Sequence, residues 1–385
     1  MKRFCVSFVC LLFALVFLFA STSQNVCLAK TDVIDLSCKS AFLMEYNSGE
    51  TLFCKNENEK VPVASMVKMM TILLSLEEYK DGNIKLDSKI TTSENASKMG
   101  GSQVFLDPFE QYSFEDLLKS VIMASANDAS VALAEYFNGS EKAFVNRMNK
   151  RAKELGMKNT HYSNCTGLPA AEQYSTASDC AILLKAILKH DLYHKYSTIW
   201  MDKLVHPSGR ETELVNTNKL VRFYEGCDGG KTGSTNEAGC CLGASAKRGD
   251  MRLVSVVLGA PNSKSRFNET AVLFNYGFNN FQSAKLVDEL SAIKTLPVLK
   301  GQLQSVDIYA KESFSAVVKK GDNLGYETKI DLPSSLTAKI KAGDVVGNAV
   351  VTKDGNIIKN IPLVVKENVE RMSVFGQAKQ IVSKW

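Results

Sequence analysis

A serine and a lysine stand one helical turn apart in Pro62-Val63-Ala64-Ser65-Met66-Val67-Lys68. Residues three apart on a helix share a face, so this spacing brings the Lys68 amine within reach of the Ser65 hydroxyl. A serine hydroxyl is a poor nucleophile until a neighbouring base removes its proton. Lys68 can be that base where its surroundings lower its pKa enough to keep some amine neutral. Two more polar clusters follow in order. Ser125-Ala126-Asn127 lies 60 residues on, and Lys231-Thr232-Gly233 lies 106 residues beyond Ser125. Cutting a peptide through serine needs a nucleophile with its base, donors for the oxyanion, a grip on the substrate's charged end, and a proton for the leaving amine. Ser125 can relay a proton between Lys68 or Lys231 and the leaving group, and the Asn127 amide can hold the substrate backbone and orient Lys68. Lys231 and Thr232 can bind a carboxylate, while Gly233, lacking a side chain, lets a substrate approach the strand edge. Each cluster alone recurs by chance in long chains, and Ser65 alone reads as a helix cap. The three in this order point to a peptidase that works through an acyl-enzyme.

The elements that must position these residues follow from periodicity. Ala41 to Tyr46 reads as a strand, Asn47-Ser48-Gly49 as a turn and Thr51 to Cys54 as its hairpin partner. From Ser65 the pattern is helical through Leu76, with Met66, Met69, Met70, Ile72, Leu73 and Leu76 as core material, so the serine is expected to start a buried helix whose free first-turn amides favour negative charge. Ser113 opens another helix that breaks near Ser125, a second runs from Asp128 to Tyr136, and further helices are expected through Leu155 and over Ala177 to Leu188. Strand character returns from Lys231 to Ala246 and, after an Arg248-Gly249-Asp250 turn, from Met251 to Gly259; Ser265 to Phe278 reads as a helix against that sheet. Strands at both ends with helices between predict a mixed α/β domain whose two ends share one sheet. From about Lys285 the texture changes to short β-prone runs, such as Ser305 to Ala310 and Ile361 to Val365, which reads as a small all-β module over about 290–370.

Composition bounds the rest. The 385 residues, 45% hydrophobic, suffice for one large domain and a smaller one. Met1-Lys2-Arg3, the apolar run Phe4 to Ala20 and the small-residue site Cys27-Leu28-Ala29 have the layout of a secretory signal peptide over 1–29, with Ala29 and Ala20 as rival cleavage positions. The competing reading is a retained membrane helix. Export permits disulfides, but of the ten cysteines seven remain after residue 29, an odd number without a Cys-x-x-Cys pair, so free buried thiols are expected rather than a zinc site or a regular framework. His161, His190, His194 and His206 are scattered, and neither a metal nor another cofactor is expected. A net charge of +5, falling to +3 without Lys2 and Arg3, is too mild for a nucleic-acid partner.

Together the three clusters resemble the signature of active-site-serine penicillin-recognising enzymes. Nearly the whole chain after the signal is similar to the low-molecular-mass penicillin-binding proteins, the serine-type D-alanyl-D-alanine carboxypeptidases. The likeness extends through Gly100-Gly101-Ser102, Leu155-Gly156-Met157, Gly167-Leu168-Pro169 and Asp228 to Thr235. It implies a β-lactamase/penicillin-binding-protein-like transpeptidase fold with a helical subdomain, spanning 30–285, removal of the terminal D-alanine from peptidoglycan stem pentapeptides, and acylation of Ser65 by β-lactam antibiotics. It also implies an oxyanion hole from the backbone amides of Ser65 and Ser234, and a carboxylate-receiving arginine. Arg266 matches that arginine better than Arg248 or Arg252, which fall on the preceding turn and strand. The module beyond 290 resembles the family's C-terminal pedestal. Departures are the many cysteines, with Cys240 where relatives commonly carry a larger polar or aromatic residue.

Three alternatives separate on residues. A class A β-lactamase needs a glutamate-activated water, yet His161 to Leu168 contains no glutamate. A catalytically silent wall-binding protein would be expected to have lost Lys68, Asn127 or Lys231. D-Ala endopeptidase or transpeptidase action uses the same acyl-enzyme and stays open. At the C-terminus, Val374, Phe375, Ala378, Ile381, Val382 and Trp385 recur at helical spacing, and residues 372–385 fit an amphipathic helix lying in a headgroup plane or a stripe packed on the β module. The resemblance favours the first, which would hold the exported enzyme peripherally at the outer face of the bacterial cytoplasmic membrane.

Overall fold

The computed structural model describes residues 34–322, 325–373 and 376. Both the signal segment and most of the expected C-terminal helix therefore lie outside the described residues. The central sheet has five antiparallel strands: β1 (Ser40–Glu45), β2 (Thr51–Lys55), β3 (Cys227–Thr235), β4 (Gly239–Arg248) and β5 (Met251–Ala260), in the order β2-β1-β5-β4-β3. The chain's early hairpin thus joins its late strands, with Ser40 paired to Leu258 and Glu45 to Leu253. Alternate side chains of a strand face opposite sides. In β5, Val254, Val256 and Leu258 enter one hydrophobic cluster while Leu253 and Val257 enter another. Both faces are covered, which is why this strand reads as a nearly continuous apolar run.

Helix α1 (Lys68–Lys80) runs through the centre of the first cluster, and residues 68–76 are all buried. Helices α2 (Phe114–Met123) and α3 (Asn127–Asn138) pack around it, and α4 (Ala177–Ile187) lies between α1 and the sheet. Helix α5 (Ser263–Asn280) covers the other face with Leu273, Phe274 and Phe278. The ends fall where capping chemistry puts them: Ser113 accepts from Asp116 N, Thr176 from Asp179 N and Asn262 from Ser265 N. The expected helix at Ser65 differs in detail. Ala64–Val67 form a 3-10 turn, and the α-helix proper begins at Lys68. Ala64 holds a left-handed φ of 48° with no side-chain cap, so Ser65 sits in a tight, strained entry turn.

The helix α5 hands over to β structure at Phe281, ahead of the change in texture near Lys285. Strand Phe281–Val287 pairs with Phe314–Lys319, and Phe281 of the first and Val317 of the second join the cluster under α5. A six-stranded sheet follows, packed on its own core of Leu296, Ile308, Val351, Ile361 and Leu363. No helix among the described residues is long and apolar enough to cross a membrane.

Candidate active site

The 3-10 turn, the α2–α3 junction and strand β3 converge on two buried lysines. Lys68 Nζ donates to Ser65 Oγ at 3.0 Å and to the carbonyl of Thr166. Lys231 Nζ donates to Ser125 Oγ at 2.7 Å and to Thr232 O at 3.1 Å. Burial pushes Lys68 down to about 7, only partly opposed by Cys165 and Asp128. Lys231 is driven well below its ordinary value by burial first, and then by the positive charges of Lys68 and Arg266. With Lys68 neutral, the same 3.0 Å contact carries the serine O–H toward nitrogen, the arrangement a general base requires.

Ser125 sits in the sharp break between α2 and α3 with a left-handed φ of 62°. The break is held by Ala126 N to Ser120 O, Asn127 N to Ser102 O at 2.7 Å and Thr217 N to Met123 O. A residue of this type held in that conformation marks a turn whose surroundings over-determine it, and here the turn aims the hydroxyl at Lys231. Asp128, next in sequence, is fully buried and accepts from Val104 N, Leu106 N and Ala129 N, tying the loop over the site to α3. Asn127 is placed differently from the expectation that it orients Lys68. Its Nδ2 donates to Gly100 O at 2.6 Å, and its buried Oδ1 has no partner. The amine of Lys68 is steadied instead by the Thr166 carbonyl, a contact the sequence reading missed.

Gly233 also has a reason other than the expected one. A Cβ built there would stand 2.5 Å from Val63 O and 3.1 Å from both Ser65 N and Met66 N. The bare strand edge is needed by the protein's own 63–66 turn, which presses the Ser65 amide against β3 one residue before Ser234. Gly167 makes the matching approach from the other side, at φ 83° with a Cβ position 2.1 Å from Ala64 O. Gly233→Ala is expected to lower stability by about 2 kcal/mol and to slow acylation, read by thermal unfolding and by penicillin labelling. An unshifted Tm with normal labelling would refute this packing argument.

Arg266 is 7% exposed; its Nη1 donates to Gly233 O at 3.1 Å and to Cys241 O at 3.3 Å, and its Nε has no partner. Among the described residues no acid forms an ion pair with Lys68, Lys231 or Arg266. The nitrogen donors of Lys231 and the Arg266 guanidinium are left without acidic partners, which suits this end of the site to a carboxylate. Among the described residues no carboxylate hydrogen-bonds Ser65 or Lys68 either, and the loop facing them is organised by Asn164, whose Oδ1 accepts from Gly167 N at 2.7 Å and Thr166 N at 3.1 Å. Among the described residues no group of three or more His, Cys, Asp or Glu side chains could hold a metal ion. Cys38, Cys165, Cys180, Cys227, Cys240 and Cys241 are free thiols, and burial pushes those of Cys38, Cys180 and Cys227 up to about 12.

This constellation has counterparts. A family profile described as D-alanyl-D-alanine carboxypeptidase matches residues 25–262. The chain belongs to that family. The carboxypeptidase also matches the C-terminal domain profile of penicillin-binding protein 5 over residues 281–371. It is 39% identical over 357 residues to the D-alanyl-D-alanine carboxypeptidase DacF of Bacillus subtilis (strain 168), covering 92% of each chain. It is 37% identical to DacC of Escherichia coli (strain K12), over 96% of this chain and 93% of that one. A crystal structure of penicillin binding protein 5 from Haemophilus influenzae superposes with a TM-score of 0.70 at 33% identity, over 88% of this chain and 99% of that chain. The carboxypeptidase is of the serine type, acting through an acyl-enzyme, and has the penicillin-binding-protein fold of a mixed α/β domain with helical subdomain plus a small β domain.

Proposed function

We propose that this enzyme removes the terminal D-alanine from peptidoglycan stem pentapeptides with Ser65 as nucleophile and Lys68 as its base. The observation that carries this assignment is the 3.0 Å contact between Ser65 Oγ and a fully buried lysine whose pKa lies near 7. Lys68 takes the hydroxyl proton as Ser65 attacks the penultimate carbonyl. The oxyanion meets the backbone amides of Ser65 and Ser234, donors that need no reorganisation. The carboxylate of the leaving D-alanine lies among Lys231, Thr232 and Arg266, Asn127 faces the substrate backbone, and its amine collects a proton through Ser125 and Lys231. Water then hydrolyses the ester and restores Ser65. β-Lactams enter the same path and acylate Ser65; among the described residues no glutamate is hydrogen-bonded to Ser65 or Lys68. Incubation with a muramyl pentapeptide, followed by mass spectrometry, should show loss of one D-alanine; an unchanged pentapeptide would refute the reading.

Arg266 tests the carboxylate assignment separately. Arg266→Ala removes a charged hydrogen-bonding group from the carboxylate end and should raise KM for a D-Ala-D-Ala peptide about tenfold. Unchanged kinetics would exclude that role.

The domain organisation we propose is an exported chain with signal 1–29, catalytic domain 30–285, β module 290–370 and membrane-associating tail 372–385, held peripherally at the outer face of the cytoplasmic membrane. The apolar N-terminal run and the tail's alternating faces support it. Deleting residues 372–385 should release the mature enzyme from vesicles without changing turnover of soluble peptide. Equal sedimentation of truncated and intact enzyme would count against the anchor.

A further inference from the structure

With the carboxylate held at Lys231 and Thr232 and the attacked carbonyl at the Ser234 amide, a substrate laid along β3 has a direction. On its acyl side it continues past Thr235 toward the turn that leads into Gly239. A cleft of about 50 Å3 lies there, with Pro62, Val63 and Pro169 as apolar walls and Gln173, Thr235 and Glu237 around them. Hydrogen bonds fix both sides. Gln173 Nε2 donates to Leu168 O at 2.9 Å, and its Oε1 accepts from Ser163 N and Asn164 N, each at 3.1 Å. Across the cleft, Thr235 Oγ1 accepts from Ala238 N at 3.1 Å, and Ala238 is buried, which holds the turn that carries Glu237. Of the residues lining the cleft, Glu237 alone is ionisable. It is exposed and enters none of the ion pairs among the described residues. An unpaired carboxylate at the rim of an apolar cleft is matched by a side chain with an apolar stem and a cationic tip.

The acyl side of a stem pentapeptide supplies such a group. Next to the attacked D-alanine stands the third residue of the stem, about 3.3 Å further along an extended chain. Where that residue is a diamino acid, its side chain is a run of methylenes ending in an amine, cationic while free and neutral once acylated. A cleft of about 50 Å3 holds a few water-sized groups, which fits the end of one such side chain, with its methylenes against Pro62, Val63 and Pro169 and its ammonium at Glu237. We propose that Glu237 is a specificity-determining residue through which the enzyme prefers stem peptides whose third residue carries a free ammonium group. Stems in which that amine is already acylated are the poorer substrates. The inference rests on the carboxypeptidase assignment above, which sets the direction of the substrate. Glu237 takes no part in the hydrogen bonds of Ser65 and Lys68. An interaction kept equally in ground and transition states falls on KM rather than on kcat.

The test measures D-alanine release by the full mature enzyme from Nα-acetyl-L-lysyl-D-alanyl-D-alanine and from the same peptide with its ε-amine also acetylated. Wild type should favour the free-amine peptide by about fivefold in kcat/KM, the upper scale of an exposed ion pair. The preference should shrink as salt is raised. Glu237→Gln should bring the ratio to about one by raising KM for the free-amine peptide, and Glu237→Lys should make the acetylated peptide the better substrate. Unfolding temperature shows whether each variant is folded. A merely structural role would depress both substrates together and leave their ratio unmoved. Equal kcat/KM for the two peptides in wild type overturns the proposal, as does a preference that survives in both variants. Release of D-alanine from neither peptide by wild type would instead overturn the underlying carboxypeptidase assignment.

Discussion

Ser65→Ala is expected to abolish both D-alanine release and covalent labelling by a fluorescent penicillin, a loss of about 10⁴-fold or more. The site's two other serine hydroxyls have partners of their own. Ser125 Oγ is held by Lys231, and Ser234 Oγ faces Cys240 Sγ at 3.6 Å. The variant should remain folded, because Ser65 Oγ has Lys68 as its hydrogen-bond partner among the described residues and alanine is smaller than serine. Unfolding temperature therefore serves as the control. Rapid penicillin labelling of Ser65→Ala at a second residue would overturn the assignment.

Lys68→Ala should slow acylation by about 10³-fold or more, since a positioned base contributes on that scale. Truncating a buried lysine also leaves a cavity and strips the Thr166 carbonyl of its donor, so Lys68→Arg is the more telling variant. Arginine keeps the positive charge but cannot give up its proton in a protein. If Lys68 works as a base, Lys68→Arg is as inactive as Lys68→Ala; if only its charge matters, Lys68→Arg recovers most of the rate. In the wild type the sign follows from the depressed pKa. Protonated Lys68 cannot accept from Ser65, so acylation is lost as pH falls through about 7 and is about tenfold below its plateau one unit lower. A rate independent of pH from 5 to 9 would refute the assignment.

The proximities were legible where side-chain type and spacing carry them. Ser65 and Lys68 form the hydrogen bond that their spacing suggested, and of the two lysines open to Ser125 it is Lys231 that binds it. The sheet was legible too, since strands buried on two faces leave long apolar runs such as Met251–Ala260. What was not legible rests on backbone. The carbonyl of Thr166 that steadies Lys68 could come from any residue, and the only trace of it is the nearby Gly167, whose left-handed φ lets that loop close on the turn. The 3-10 entry at Ala64 and the reason for Gly233 were hidden likewise, because both follow from how closely two stretches of main chain approach. Asn127 shows the limit for side chains. Its type suggested contact with Lys68, whereas its Nδ2 is given to Gly100 O and its Oδ1 has no partner.

The pairing of Ser40–Glu45 with Met251–Ala260 has a consequence for when the enzyme becomes active. Ser65, Lys68, Ser125, Asn127 and Lys231 are all synthesised before the strand at the centre of their sheet exists. Until that strand emerges, β1 has no partner on that side, β3 and β4 cannot dock beside it, and the environment that lowers Lys68 is not assembled. Contacts so distant in sequence form late and slowly. A growing chain therefore carries its reactive serine in an inert state until nearly the whole catalytic domain has been made, and one exported before it folds would first meet its substrate and its inhibitors outside the cell.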